Sequence, residues 1–233
     1  MASTVHHEYQ PGGYTACVAR VRRERHYWIR QHLPAAGSAS RLLDVGCHMG
    51  EDEVEWADRV ETLYGIDVDP AIFFGEPSVF RCQASAGALP FPDRCFDVVT
   101  CSEVLEHVPV PLERPMIEEC RRVLRDDGIF LFTTPHRGWF AWLDPLDAKR
   151  RLGLRSGKGH KHYTVDEIEI LFDGLFKIDV LHLSSLIIHP LSTWLGFGQQ
   201  QRWSRFRGWL SDWDYQHTFG RASFNLALTA RPI

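Results

Sequence analysis

The stretch LLDVGCHMG, Leu42–Gly50, and the stretch LYGIDVDP, Leu63–Pro70, decide the fold of this chain. In the first, a short apolar run reaches Asp44 and a glycine-bearing turn, and helical spacing then begins near Met49–Val60. In the second, a run over Thr62–Ile66 ends on Asp67. Short apolar runs joined by helical patterns are the mark of a sheet covered on both faces. Glycines at 46 and 50 let the backbone approach a ligand closely, at the carboxyl edge where open α/β sheets bind ligands.

The alternation extends in both directions from there. Tyr14–Leu33 has helical spacing and carries Arg20, Arg22, Arg23, Arg25 and Arg30, and Arg41–Val45 is the strand that enters the turn. Further strands are expected at Val79–Cys82 and Phe96–Cys101. Met116, Ile117, Cys120, Val123 and Leu124 share one helical face. Asp126-Asp127-Gly128 is expected to end that helix, with Gly128 as its left-handed residue, and to launch a strand over Ile129–Thr134. Thr164 and Glu167 form a capping box ahead of a stripe of Val165, Ile168, Leu171, Phe172 and Leu175. A strand over Phe176–Leu183 follows, and Phe224, Leu226, Leu228 and Ala230 alternate onto one face of the last.

Composition narrows the function classes. The 233 residues, 44% hydrophobic, suffice for one substantial core, and a net charge of -4 offers no general attraction to nucleic acid. The six cysteines show no CxxC and no His/Cys ligand spacing, so no metal is expected. MASTVHHEYQPGG lacks the layout of a secretory signal, and no apolar run approaches the roughly 20 residues of a membrane helix. A cytoplasmic protein is expected.

The ligand loop has its own chemistry. Gly46-x-x-x-Gly50 does not fit GxGxxG, and no Lys-Ser/Thr follows, so nothing here is built to cradle phosphates. Asp67 is placed to accept hydrogen bonds from ribose hydroxyls, or else to form the turn before Val68-Asp69-Pro70.

Four segments in register, LLDVGCHMG, LYGIDVDP, ALPFPDRCFDVVTCSEVLEHVPVP and ECRRVLRDDGIFLFTTP, resemble the class I S-adenosylmethionine-dependent methyltransferase superfamily of small-molecule type, over Leu42–Pro135. The resemblance implies a doubly wound, mostly parallel seven-stranded sheet of Rossmann-like α/β class, with an antiparallel last strand. It implies a single domain over 1–233. Residues 1–40 form an N-terminal helical cap, 41–135 the cofactor-binding half, and 136–163 and 184–220 lid-like insertions over the substrate side. It places Asp44, Gly46, Cys47, His48 and Gly50 at the methionine end of S-adenosyl-L-methionine, and Asp67 and Val68 at its ribose. Ser85 and Ala86 fall at the adenine, closed by Leu89-Pro90-Phe91, and Ser102 and Glu103 fall at the sulfonium. Two residues depart from the family pattern. His48 stands for a glycine, which a β-carbon tolerates with negative φ, and Ser85 stands for an acid.

The implied reaction is in-line displacement of a methyl group by a small-molecule nucleophile, with oxygen favoured, and a histidine base. The candidate bases, in order, are His160 and His162, then His136, then His107. Lys149, Arg150, Arg151, Arg155, Lys158 and Lys161 line a loop that is either solvated or a site for an acidic or phosphorylated substrate. Trp194, Phe197, Trp203, Phe206, Trp209 and Trp213 form the second insertion; a core- or substrate-covering helix, a homodimer interface and membrane contact through 194–213 compete there. The turn SEVLEH lacks the Asn/Asp-Pro-Pro-aromatic motif of nucleic-acid and protein methylases. The competing readings are N- or C-methylation of a metabolite or lipid-linked substrate, and a non-catalytic binding domain.

Overall fold

Residues 28–35, 37, 39–48, 56–70, 79–139, 141, 152, 161–186 and 204–233 are described by a computed structural model. Seven strands form one sheet: β1 (Ala39–Val45), β2 (Val60–Asp67), β3 (Phe80–Gln83), β4 (Phe96–Ser102), β5 (Leu124–Pro135), β6 (Phe176–Ser184) and β7 (Asn225–Pro232). Their order is β3-β2-β1-β4-β5-β7-β6, with β7 antiparallel to both of its neighbours. This is the seven-stranded, Rossmann-like sheet that the segments imply. The helices are α1 (Val110–Val123), α2 (Val165–Phe172) and α3 (Ser204–Gln216), and residues 28–32 are helical as well.

Unalternating apolar strands need cover on both faces, and neighbouring residues here go to opposite sides. Leu43, Val45, Val99, Cys101, Phe130, Phe132, Leu226 and Leu228 pack with Met116, Ile117, Cys120 and Val123 of α1 and Ile168 and Phe172 of α2. Leu42, Val98, Leu131 and Ala227 face the other way, toward Trp28, Ile29, Leu33, Trp56 and Tyr215. Thr164 accepts from the Glu167 amide and Glu167 from the Thr164 amide, so the capping box is made.

The expected helix stop at Asp126–Gly128 is corrected. α1 ends at Val123, and Asp126–Gly128 lie within β5, where the pairing with β4 jumps from Phe96↔Leu124 to Val98↔Ile129. Gly128 is not left-handed; a β-carbon there would meet Leu124 Cδ1 at 2.6 Å and the Asp97 carbonyl at 3.0 Å, so close approach explains the glycine. Leu89 and Phe91 pack against the core, and Arg122 donates to both of their carbonyls and to Glu119 and Asp93. On α3, among the described side chains, Asp214 and Tyr215 are buried, while Trp209 and Trp213 stand 60% and 36% exposed.

No described helix is long and apolar enough to cross a membrane. Cys47, Cys82, Cys95, Cys101 and Cys120 are free thiols, and no metal-binding cluster occurs among the described residues. Cys17, most of the first helix, residues 49–55 of the second, and Gly50, His160, Trp194, Phe197 and Trp203 lie outside the described residues.

Candidate active site

β1, β2, β4 and β5 run parallel, so their carboxyl ends share one edge, and the chain winds away in opposite directions from the β1–β4 pair. That reversal opens a crevice suited to a ligand. The turn after β1 is held by its backbone amides. Gly46 (φ 79°) and Cys47 donate to the Ile66 carbonyl at 2.8 and 3.0 Å, and the His48 amide donates to Asp67 Oδ2 at 2.9 Å. Asp67 Oδ1 takes the Asp69 amide at 2.9 Å. Gly46 is required here, because a β-carbon would sit 2.3 Å from Val104 Cγ2. Asp44 is buried and accepts from Thr100 Oγ1 at 2.7 Å.

His48 overturns one expectation. Its φ is +48°, in the left-handed region, because the turn must swing its amide onto Asp67. Its Nδ1 is shielded from solvent and has no hydrogen-bond partner.

The exit of β3 lies beside that of β2. Ala84 donates to the Asp67 carbonyl at 3.0 Å and Gln83 Nε2 to the Val68 carbonyl at 2.9 Å. Val68 is 67% exposed, Ala86 is half-buried, and the Ser85 hydroxyl accepts from the Gly87 amide at 3.3 Å. Gln83 escaped the sequence reading; its position one residue past a strand's apolar run is the signal that marks it.

Beyond β4, Ser102 Oγ lies 3.0 Å from Thr133 Oγ1, which donates to Glu103 Oε1 at 3.2 Å. Glu103 is also left-handed (φ 56°), and its amide donates to the Thr133 carbonyl at 3.0 Å. Thr133 gives no sequence signal beyond its place in an apolar strand. His48, Glu103 and Ser185 are left-handed just past β1, β4 and β6, all at this edge, and such backbone gathers at functional sites.

His136 follows β5 and is buried; its Nδ1 lies 3.1 Å from the Ser223 carbonyl. A carbonyl accepts, so Nδ1 carries the proton and Nε2 is left with the lone pair. Burial holds its pKa below the ordinary histidine value; the Ser223 carbonyl opposes this, and charge on His162 adds to it. His162 is therefore near His136, joined through the bridge that pairs His136 with Tyr163. His107 is exposed, in a short 3-10 turn, with Nε2 3.9 Å from Glu106.

A second network anchors this side. Tyr163 OH donates to Glu113 Oε1 at 2.8 Å and lies 3.1 Å from the Leu105 carbonyl, while Lys161 binds Glu113 and the Val108 carbonyl. Lys161 is thus tied into α1, and the other cations of its loop, 149–158, lie outside the described residues.

A methyltransferase domain profile matches residues 43–132. The chain is 33% identical over 178 residues to a ubiquinone biosynthesis O-methyltransferase of Paracidovorax citrulli, covering 71% of this chain and 73% of that protein. It is 32% identical over 128 residues to a probable S-adenosylmethionine-dependent methyltransferase of Mycolicibacterium smegmatis, covering 51% of this chain but 49% of that protein. In fold it resembles a geranyl diphosphate C-methyltransferase of Streptomyces coelicolor A3(2), with TM-score 0.64, 15% identity, and 91% and 77% of the two chains covered. By its sequence likeness to these methyltransferases, and with the strand order of the Rossmann-like methyltransferase fold, the chain belongs to the class I S-adenosylmethionine-dependent methyltransferase superfamily.

Proposed function

We propose that this chain methylates an oxygen nucleophile of a small molecule, with His136 as the base. The turns 46–48, 67–69 and 83–86 carry no Lys or Arg, which suits a nucleoside without phosphates. The orphaned His48 Nδ1 and the acceptors of Asp67 suit one with polar groups at both ends. In this reading, Asp44, Gly46, Cys47, His48 and Gly50 hold the methionine end of S-adenosylmethionine, Asp67 and Val68 its ribose, and Ser85 and Ala86 its adenine. Ser102 and Glu103 flank the transferred methyl. Bound S-adenosylmethionine supplies a methyl group already activated on sulfonium. What the chain adds is alignment, worth up to roughly 7–11 kcal/mol in well-oriented systems, and removal of a proton.

The observation that carries the base assignment is the His136–Ser223 contact. It fixes the tautomer, and burial keeps the ring neutral and able to accept a proton at Nε2. His162 lies beside it as a second polar contact for the acceptor, and His107 is the least suited of the described candidates because it is exposed and turned toward Glu106. Relatives named as O-methyltransferases support oxygen as the acceptor. The test is H136N, whose amide keeps a donor for Ser223 but has nothing at Nε2. With labelled S-adenosylmethionine and a panel of small hydroxyl acceptors, kcat should fall roughly 10²–10⁴-fold with cofactor affinity unchanged. An unaltered kcat removes His136 from the chemistry.

A further inference from the structure

His48 carries two costs at one residue. Its φ of +48° lies where glycine is at ease and a β-carbon is not. The job its backbone does, donating to Asp67, needs no side chain, so glycine would perform it without strain. The imidazole then adds a second cost, since Nδ1 is withdrawn from water and bonded to nothing, against the rule that buried polar atoms are paired. A residue unfavourable in both backbone and side chain is explained when a ligand completes it.

We infer that His48 Nδ1 donates a hydrogen bond to the carboxylate at the amino-acid end of the bound cofactor. The inference rests on the cofactor reading above and deepens it. Position decides between the two ends of the ligand. The two oxygens of Asp67 hold the His48 and Asp69 amides at the β2 exit, which the cofactor reading above gives to the ribose. His48 lies on the β1 side of Asp67, next to Gly46 and the reversal between β1 and β4. There the ligand's charged amino-acid end needs donors, and the turn 46–48 offers one side-chain N–H, that of His48. The proton sits on Nδ1 in the bound state, and no proton is transferred.

The test compares two probes by calorimetry: S-adenosylhomocysteine, and 5′-methylthioadenosine, which has the nucleoside and sulfur but no amino acid. In H48G, S-adenosylhomocysteine should bind at least tenfold more weakly and 5′-methylthioadenosine within twofold of wild type. The ligand-free H48G protein should melt higher, by about 2–4 °C for a relief of about 1 kcal/mol. H48N tolerates left-handed backbone and keeps an N–H where Nδ1 stood, so it should recover S-adenosylhomocysteine affinity to within threefold. Equal weakening of both probes, unchanged affinity in H48G, or H48N as weak as H48G overturns the inference. Wild-type protein that binds neither probe overturns the cofactor reading, and this inference with it.

Discussion

The two halves of the crevice are held in different ways. On the proposed cofactor side, the turns after β1, β2 and β3 are tied to one another by backbone amides, with one carboxylate among the acceptors: Gly46 and Cys47 to the Ile66 carbonyl, His48 to the Asp67 side chain, Ala84 to the Asp67 carbonyl. On the proposed acceptor side, backbone bonds also join His136 to Phe224 and Tyr163 to Pro135, but the segment's own side chains brace it further, Tyr163 and Lys161 to Glu113 and His136 to the Ser223 carbonyl. Turns held by their own amides tolerate little change in conformation. A segment braced as well by side chains depends on their identity, and it is the part in which relatives on one fold can differ in substrate.

The largest effect should come from breaking the backbone-built half at Gly46. In G46A, alanine in the left-handed region costs about 1–2 kcal/mol. The collision with Val104, whose Cγ2 would lie 2.3 Å from the new carbon, adds about 1–3 kcal/mol of overpacking. Urea melts should show roughly 2–5 kcal/mol of destabilisation, together with loss of S-adenosylhomocysteine binding. Pairing G46A with V104A separates the two causes, because trimming Val104 relieves the collision but not the backbone. The cycle should therefore show favourable coupling in the double variant; strictly additive losses would mean that Val104 is not the obstacle.

This division also explains what was legible in the sequence. The central strands β1 and β4 were readable to within two residues because they are largely buried on both faces and read as nearly unbroken apolar runs. The cofactor side was readable because its turns are contiguous and each ends a strand. Gly128 misled because an Asp-Asp-Gly run after a helix has the composition of a helix stop, whereas here glycine answers a close approach by Asp97 from another strand. The sign of φ at His48 depends on where Asp67, 19 residues away, holds its amide. The anchor of the acceptor side was illegible for the same reason, amplified: Lys161 and Tyr163 meet Glu113 across 48 and 50 residues, with no period to betray it. The pattern of α3 showed a helix, but the spacing of its tryptophans could not say which stripe faces the sheet.

A smaller effect is expected from breaking the side-chain-built half at Tyr163. Y163F removes the hydroxyl that donates to Glu113 at 2.8 Å. Glu113 keeps Lys161, so the carboxylate is not stranded. A buried hydrogen bond to a charged group is worth about 1.5–3 kcal/mol, and denaturation should show a loss in that range. The contrast with G46A lies in binding: S-adenosylhomocysteine affinity should stay within twofold, while turnover falls as the His162 segment loosens. A Y163F protein with intact turnover and weakened cofactor binding would reverse the assignment of the two halves.

The smallest effect sharpens the comparison by pH. Burial lowers the pKa of His136 in the folded chain below its ordinary value of 6.5. Between those two values the unfolded chain binds more protons, so stability rises with pH across that window and levels off above about 6.5. Acidification from neutrality should therefore weaken the fold through His136 first, by about 1.4 kcal/mol for each pH unit separating the two values. Carboxylates held low by ion pairs respond later. Glu119, lowered chiefly by Arg122, and Glu167, lowered chiefly by Arg137, lose their contribution as pH falls from about their ordinary value of 4.5 through their folded values. Melting temperatures of wild type and H136N, followed downward from neutrality, separate these windows, since H136N keeps the Ser223 contact and has no ring to protonate. The two curves should diverge below neutrality and run parallel in the carboxylate range. If they run parallel throughout, His136 is not the buried neutral base that the acceptor side requires, and the crevice would have to draw its proton acceptor from His162 or from the segment around His160.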